Sequence, residues 1–303
     1  MNGFTPDLCI YHGNCADGFT AAWAIWKRWP ECEFFAGIYG DAPPEVAGKN
    51  VLIVDFSYKY DALVPLSYAA NSLIVLDHHK TAAADLGRLP RFRCEDADDL
   101  KAALDECYCH NMPRVAACFD MERSGAMLAW EFAHPGSPAP ALVRHVQDRD
   151  LWRFEIPGTR EVQATVFSHP YDFEVWDSLA RKLDSADGFT DIVSQGAAIE
   201  RKHFKDVDEL LGVTTRYMII GGHRVPVANL PYTMASDAAG RLAEGNAFGA
   251  CYYDRADGAR VFSLRSDAHG VDVSAVAAGY GGGGHAKAAG FSAPKGWEGD
   301  GDA

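Results

Sequence analysis

Ser72-Leu-Ile-Val-Leu-Asp77-His78-His79-Lys80-Thr81 is an apolar run of strand length that ends abruptly in one carboxylate and two imidazoles. Its apolar part reads as a buried strand, because it is short, rich in branched residues and not interrupted by charge. An acid and two histidines at the mouth of such a strand are costly without partners, and a metal ion or a phosphate would supply them. Taken alone, the triplet reads equally well as an exposed polar turn.

Working outward, the N-terminal half alternates strands and helices. Residues 7–12 form a short apolar run, 17–29 a helix, 50–55 a strand, 58–70 a helix and 72–76 the strand quoted above. Such alternation predicts a parallel sheet with helices on both faces, whose ligands sit beyond the carboxyl ends of the strands. His12, Asp55 and Asp77 each fall where a strand ends. The first is part of His12-Gly-Asn-Cys-Ala-Asp17-Gly18, and the second closes Val51-Leu-Ile-Val-Asp55. Singly, Asp17 is explained as a helix cap and Asp55 as a turn residue. Together, three strand ends of one parallel sheet bring hard-cation and imidazole ligands to one crevice.

Further along, residues 97–149 are mostly helical, with a strand at 114–119 and a helix at 124–132, and the proline-rich stretch 134–140 breaks the pattern. Apolar residues at Ile192, Val193, Ala197, Ile199, Phe204 and Val207 predict a long helix over 190–211 that links two domains. Strands near 214–220, 223–228, 247–253 and 260–264, helices near 235–244 and 273–278, and a glycine run at 281–284 make up the second. The expected division is a catalytic domain over 1–188, a helical linker over 189–212, a smaller α/β domain over 213–292 and a loose tail over 293–303.

The 303 residues suffice for two cores, and a composition of 48% hydrophobic and 23% charged residues is that of an ordinary globular protein. A net charge of −14 argues against salt-driven binding along a nucleic-acid duplex. It leaves room for a small phosphate substrate, since a carboxylate cluster attracts phosphate once cations have bound. Apolar runs are too short to cross a bilayer, and no basic region followed by an apolar stretch opens the chain, so no membrane partner is expected. Eight cysteines without the spacing of a secreted scaffold point to reduced thiols and a cytoplasmic location. Cys107, Cys109 and His110 cluster tightly but lack a matching second pair, and they read as unpaired thiols near a helix end rather than a zinc site.

Asp77-His78-His79, the His12/Asp17 element, Asp55, Phe262-Ser-Leu-Arg265-Ser266 and Gly281-Gly-Gly-Gly-His285-Ala-Lys-Ala-Ala-Gly290-Phe291 together resemble the motif set of the DHH superfamily of phosphoesterases. The resemblance spans roughly residues 8 to 292 and extends to the DHH-associated C-terminal domain. RecJ-type exonucleases, nanoRNases, pAp phosphatases and cyclic dinucleotide phosphodiesterases share these motifs. The resemblance implies an α/β fold with a parallel-sheet catalytic domain. It also implies a hydrolase that uses two divalent cations, manganese with magnesium as the alternative, on nucleotides or short single-stranded oligonucleotides; a homodimer is one option. His12, Asp17, Asp55, Asp77, His78 and one later carboxylate would hold the metals, with Asp55 bridging them. For that later ligand Asp148 is favoured over Asp150, because it follows apolar Val146 at a segment end.

Asp55, Asp77, His78 and His79 would carry the catalysis, His79 by contacting the phosphate or the leaving group. Arg265, Ser266, Gly282, Gly283, Gly284 and His285 would bind the substrate's far end, the glycines by letting backbone amides approach an anion and Arg265 by a bidentate grip. One position departs from the pattern. Cys15 stands where the first motif usually has the earlier of two aspartates, and a thiolate matches manganese or magnesium poorly. Either the first ion relies on His12, Asp55 and water, or Cys15 is simply a small buried residue.

Overall fold

The computed structural model describes residues 4–109 and 113–301. Two compact units result, Met1–Ala197 and Ala198–Ala303. The first contains, in order, β1 (Leu8–His12), α1 (Ala16–Arg28), β2 (Glu33–Gly37), β3 (Asn50–Val54), α2 (Tyr60–Ala69), β4 (Ser72–Asp77), α3 (Lys80–Asp85), α4 (Ala97–Cys109), β5 (Val115–Phe119), α5 (Gly125–Ala133), α6 (Ala141–Asp150), α7 (Thr159–Phe167), α8 (Phe173–Leu183) and the start of α9 (Ala186–Thr214). Its five strands are all parallel, in the order β2-β1-β3-β4-β5.

The α/β class with a parallel sheet is as the sequence predicts, and the side-chain alternation explains it. Cys9, Leu52, Val54, Ile74 and Leu76 face a core shared with α1, α5, α6 and α8. Leu8, Ile10, Val51, Ile53, Leu73 and Val75 face a second core with Leu63 of α2, Leu86 and Leu89. Both faces are thus covered, which is why the strands are apolar throughout. Strand β2 is absent from the sequence reading, because its Glu-Phe-Phe-Ala-Gly is half exposed at the sheet edge and lacks a clean alternation. Helices α7 and α8 likewise have no counterpart among the expectations.

The second unit adds β6 (Arg216–Ile220), β7 (His223–Asn229), α10 (Tyr232–Ala243), β8 (Gly249–Asp254), β9 (Ala259–Arg265), α11 (Val273–Ala278), β10 (Gly283–Gly284) and β11 (Ala288–Pro294). Its sheet runs β10-β11-β9-β8-β7-β6 and is antiparallel except for β7 and β8. One face packs on α11 and Trp297, the other on α10 and the late turns of α9 through Val207.

Two boundary expectations change. Helix α9 runs for 29 residues, and its two ends belong to different cores: Ile192 lies in the first and Val207 in the second. The long helix thus runs from one unit into the other over 186–214, where a helical linker over 189–212 was expected. Nor are residues 293–301 loose. The Asp300 carboxylate accepts from Tyr280 Oη at 2.6 Å and from the Gly221 amide at 2.8 Å, while Arg260 donates to Trp297 O at 2.9 Å. Polar spacing concealed this because the tail docks through charge pairs and one tryptophan, not an apolar run. Cys109 and His110 of the suggested thiol cluster fall outside the side chains described, whereas Cys107 is buried with its Sγ 3.3 Å from Val115 O. Among the described residues no helix is long and apolar enough to cross a membrane.

Candidate metal centre

Register places the ligands. In the first sheet Tyr11 pairs with Val54 and Val54 with Leu76, so His12, Asp55 and Asp77 emerge level at the carboxyl edge of three adjacent strands. In the order 2-1-3-4-5 the chain reverses direction between β1 and β3, and a crevice opens there that no crossover helix can fill. His12 and Asp55 end those two strands.

Asp55 leaves β3 in the left-handed region, with φ 54°. Its amide donates to Leu76 O at 2.9 Å, which keeps the residue in the sheet edge while its side chain is almost completely buried, at 1% exposure. The two carboxylate oxygens meet different partners. Oδ1 accepts from His78 Nε2 at 2.9 Å, whereas Oδ2 lies 3.4 Å from His12 Nδ1. His78 Nε2 is also 3.5 Å from Asp17 Oδ2 and 3.6 Å from Asp150 Oδ2. One imidazole nitrogen therefore faces three carboxylates.

Local backbone chemistry orients the remaining acids. Asp77 Oδ1 accepts from the amide of His78 at 2.7 Å, from the amide of His79 at 3.2 Å and from His79 Nδ1 at 2.7 Å, so one oxygen shapes the turn and sets the second imidazole. Asp17 accepts from the amides of Gly125 and Ala126 at 2.6 and 3.1 Å, where the start of α5 presents unpaired N–H groups. Two glycines permit the close approach. A Cβ on Gly125 would lie 2.3 Å from Asp55 Cβ, and one on Gly18 would lie 2.3 Å from His12 O.

Charge balance is unfavourable in the absence of a cation. Burial, then the neighbouring Asp55 and Asp150, push the Asp17 carboxyl well above the ordinary carboxylate range. Burial likewise raises Asp150. Burial also opposes ionisation of Asp55, but the imidazoles of His12 and His78 beside it overcome this and hold this carboxyl well below the usual value. At His78, burial disfavours the imidazolium, yet the Asp55 hydrogen bond and the surrounding carboxylates push it up to about 10. A proton on His78 thus supplies part of the positive charge that a metal ion would bring.

Buried oxygens Asp55 Oδ2, Asp77 Oδ2 and Asp150 Oδ2 accept no hydrogen bond among the described residues. Native structures rarely leave such atoms unsatisfied. Within the first unit, three overlapping donor groups lie within ligand reach among the described residues: His12, Cys15 and Asp55; Asp17, His78 and Asp150; and Asp55, Asp77, His78 and His79. Imidazole and carboxylate donors of this kind fit divalent cations.

Asp150, not Asp148, joins the cluster. The Asp148 carboxylate is consumed by the turn after α6, accepting from the amides of Glu155 and Ile156 at 2.9 and 3.0 Å and from Thr159 Oγ1 at 2.6 Å. Trp152 and Phe154 there adopt positive φ, and Asp148 O accepts from Arg153 and Phe154 as well. A small pocket beside the cluster is lined by Cys15, Asp17, Arg149, Asp150, Gln163 and Phe167. Gly125, Arg149 and Gln163 escape sequence reasoning: a glycine opening a helix, an arginine between two acids and a glutamine on α7 carry no distinctive signal.

In the second unit, the Arg265 guanidinium donates to Leu264 O at 2.8 Å and to Ser236 Oγ at 2.6 Å, and Ser266 is buried beside it. The glycine run is less open than expected. Gly281 and Gly282 donate to Ala278 O and Ala277 O, Gly283 and Gly284 pair with Gly290 and Ala289 as β10, and the His285 amide donates to Ala288 O. The amides of Gly281, Gly282 and His285 are thus engaged within the unit.

No family model matches the chain. The uncharacterized protein R106 of Acanthamoeba polyphaga mimivirus is 30% identical over 322 residues, covering 96% of this chain and 68% of that protein. Distant likenesses among solved structures include the pGpG-specific phosphodiesterase PggH of Vibrio cholerae, at 12% identity and TM-score 0.43 over 96% of this chain and 94% of that one. RecJ of Thermus thermophilus in complex with Mn2+ is another, at 15% identity and TM-score 0.44 over 94% of this chain and 49% of that one.

Proposed function

Because this chain belongs to one family with mimivirus protein R106, and its His12, Asp17, Asp55, Asp77 and His78 gather at one sheet edge, we propose that it is a DHH-type metal-dependent phosphoesterase acting on nucleotides or short oligonucleotides. The single observation that carries the reading is the placement of Asp55. At a strand end beside the topological switch point, one of its oxygens faces the His78 group and the other faces the His12 group. A carboxylate so placed would help to hold two divalent ions, which when bound would supply an activated water and charge neutralisation at phosphorus.

The chain's own residues would do the rest. Asp17, Asp77, His78 and Asp150 would share the ligation with Asp55 and His12. His79, oriented through Nδ1 by Asp77, would offer its other ring nitrogen to a phosphate oxygen or to the leaving group. Arg149 and Gln163, which line the adjoining pocket, would contact the substrate's phosphate. Arg265, Ser266 and His285, with Gly282, Gly283 and Gly284 shaping the turn, would bind a non-reacting part of the substrate. Manganese is the proposed ion for the imidazole and carboxylate donors, with magnesium as the alternative.

The test is a turnover screen with Mn2+, with and without a chelator, across pAp, linear dinucleotides, cyclic dinucleotides and single-stranded DNA. Metal-dependent release of mononucleotide from a dinucleotide supports the short-oligonucleotide reading. Preference for pAp or a cyclic dinucleotide moves the assignment to those substrates. Hydrolysis of none of them would leave a nucleotide-binding protein.

A further inference from the structure

The two halves of the candidate centre differ in chemistry. On the His78 side the donors are carboxylates and imidazole: Asp17, His78 and Asp150 lie within ligand reach of one another. On the His12 side the group is His12, Cys15 and Asp55, with a sulfur in place of an oxygen. Cys15 is the N-cap of α1, yet its side chain makes no capping hydrogen bond to the helix. It also differs from the other free cysteines described, Cys9, Cys32, Cys94, Cys107, Cys118 and Cys251, which are all buried, whereas Cys15 is partly exposed.

A second observation points independently to a ligand. Asp55 is 1% exposed, and its Oδ2, which lies 3.4 Å from His12 Nδ1, accepts no hydrogen bond among the described residues. Another sulfur and carboxylate group of this chain shows the contrast. Near Cys94, both Glu95 and Glu131 pair with Arg123, so a fixed cation already balances them. The ion pairs of Asp55 are with histidines.

Resting on the proposed metal-dependent reading, we propose that Cys15 is a metal ligand and that the His12/Cys15/Asp55 site takes a borderline ion such as Zn2+, Co2+ or Fe2+, while the Asp17/His78/Asp150 side takes Mn2+. Thiolate and imidazole donors favour zinc and its neighbours, whereas carboxylate donors suit manganese and magnesium. A mixed pair of ions follows from the donor set, with Asp55 a member of the first group and bonded to His78 of the second. The thiol loses its proton to solvent as the ion binds, so no oxidant or reductant is required.

The experiment uses the full chain, stripped by chelation and titrated with Co2+ alone, read by near-ultraviolet absorption and by bound-metal content. Sulfur-to-cobalt charge transfer gives a band that nitrogen and oxygen ligands do not. Wild type is expected to show this band. Cys15→Ser is expected to lose it while retaining cobalt on the other side, with zinc affinity reduced by at least the roughly tenfold that loss of even an outer-shell partner costs. Cys15→Asp should lose the band as well and shift competition toward Mn2+, with circular dichroism confirming that both variants are folded. Cobalt bound by wild type without the band, or a band undiminished in Cys15→Ser, overturns the thiolate ligand while leaving the metal-dependent reading intact. Failure of wild type to bind any divalent ion overturns both.

Discussion

At the scale of single residues, Asp55 carries the heaviest demand. Its φ of 54° is one that asparagine tolerates, so Asp55→Asn should fold normally while removing an anionic bridge. Turnover should fall more than about tenfold, a rise of about 1.4 kcal/mol in the barrier; kcat measured at saturating Mn2+ decides, and retention of more than a tenth would show that Asp55 is not the bridge. His78 leads to a second expectation. Its imidazole is raised to about 10 from the ordinary 6.5, so at neutral pH the metal-free protein holds a proton on the ring that must serve as a ligand. The folded state gains from that proton below the ordinary value, and the gain is lost as pH rises through about 10. Metal binding at neutral pH must therefore expel protons, and apparent affinity should rise with pH until His78 is neutral. Calorimetry in buffers of different ionisation enthalpy measures the protons released; a value of zero would remove His78 from the ligand set.

At the scale of elements, the end of α6 separates two acids that are two residues apart. Asp148 stabilises the turn toward α7 through two amides and one hydroxyl, and Asp150 faces His78. Asp148→Ala strands the buried Thr159 hydroxyl and frees two less buried amides, and should cost about 1–3 kcal/mol, seen as a lowered Tm with metal stoichiometry unchanged. Asp150→Ala should do the reverse, weakening metal binding without comparable loss of Tm. Reversal of these two outcomes would restore Asp148 as the ligand. The start of α5 is bound to the centre in the same way, since the Gly125 amide holds Asp17 and its missing side chain makes room for Asp55.

At the scale of the whole molecule, stability should not depend on the ions for its existence. The sheet faces are packed on apolar cores, and Asp17 and Asp77 are held by backbone amides with no cation needed. Exhaustive chelation should abolish turnover with the far-ultraviolet spectrum unchanged, and Mn2+ at about a hundred times its Kd should add roughly 2.7 kcal/mol of stability, read as a rise in Tm. Full activity after chelation would exclude the metal mechanism. For the second unit, Arg265→Ala should weaken binding of a dinucleotide about ten- to hundredfold, the value of one charge-assisted contact of roughly 1.5 to 3 kcal/mol. Hydrolysis of bis-p-nitrophenyl phosphate should stay near normal. Equal loss on both substrates would place Arg265 at the reacting phosphate instead.

The sequence by itself determined the parallel sheet and the strand ends that carry the proposed ligands, because apolar runs declare buried strands locally and a parallel register brings their ends level. His12, Asp55 and Asp77 were legible as candidates for that reason, and Asp17 and His78 were named as ligands through the resemblance of their motifs. Tertiary structure alone decided between Asp148 and Asp150, since the answer depends on which oxygens a turn consumes seven to eleven residues later. It alone disclosed Gly125, whose amide reaches Asp17 across 108 residues of chain. The same holds for the glycine run and the tail, where polar and flexible composition resembles a loop until β11 pairs with the one and Tyr280 and Arg260 hold the other. Local pattern reports which groups are buried; only the folded chain sets which of their hydrogen-bonding atoms are already satisfied, and the unsatisfied ones mark the site.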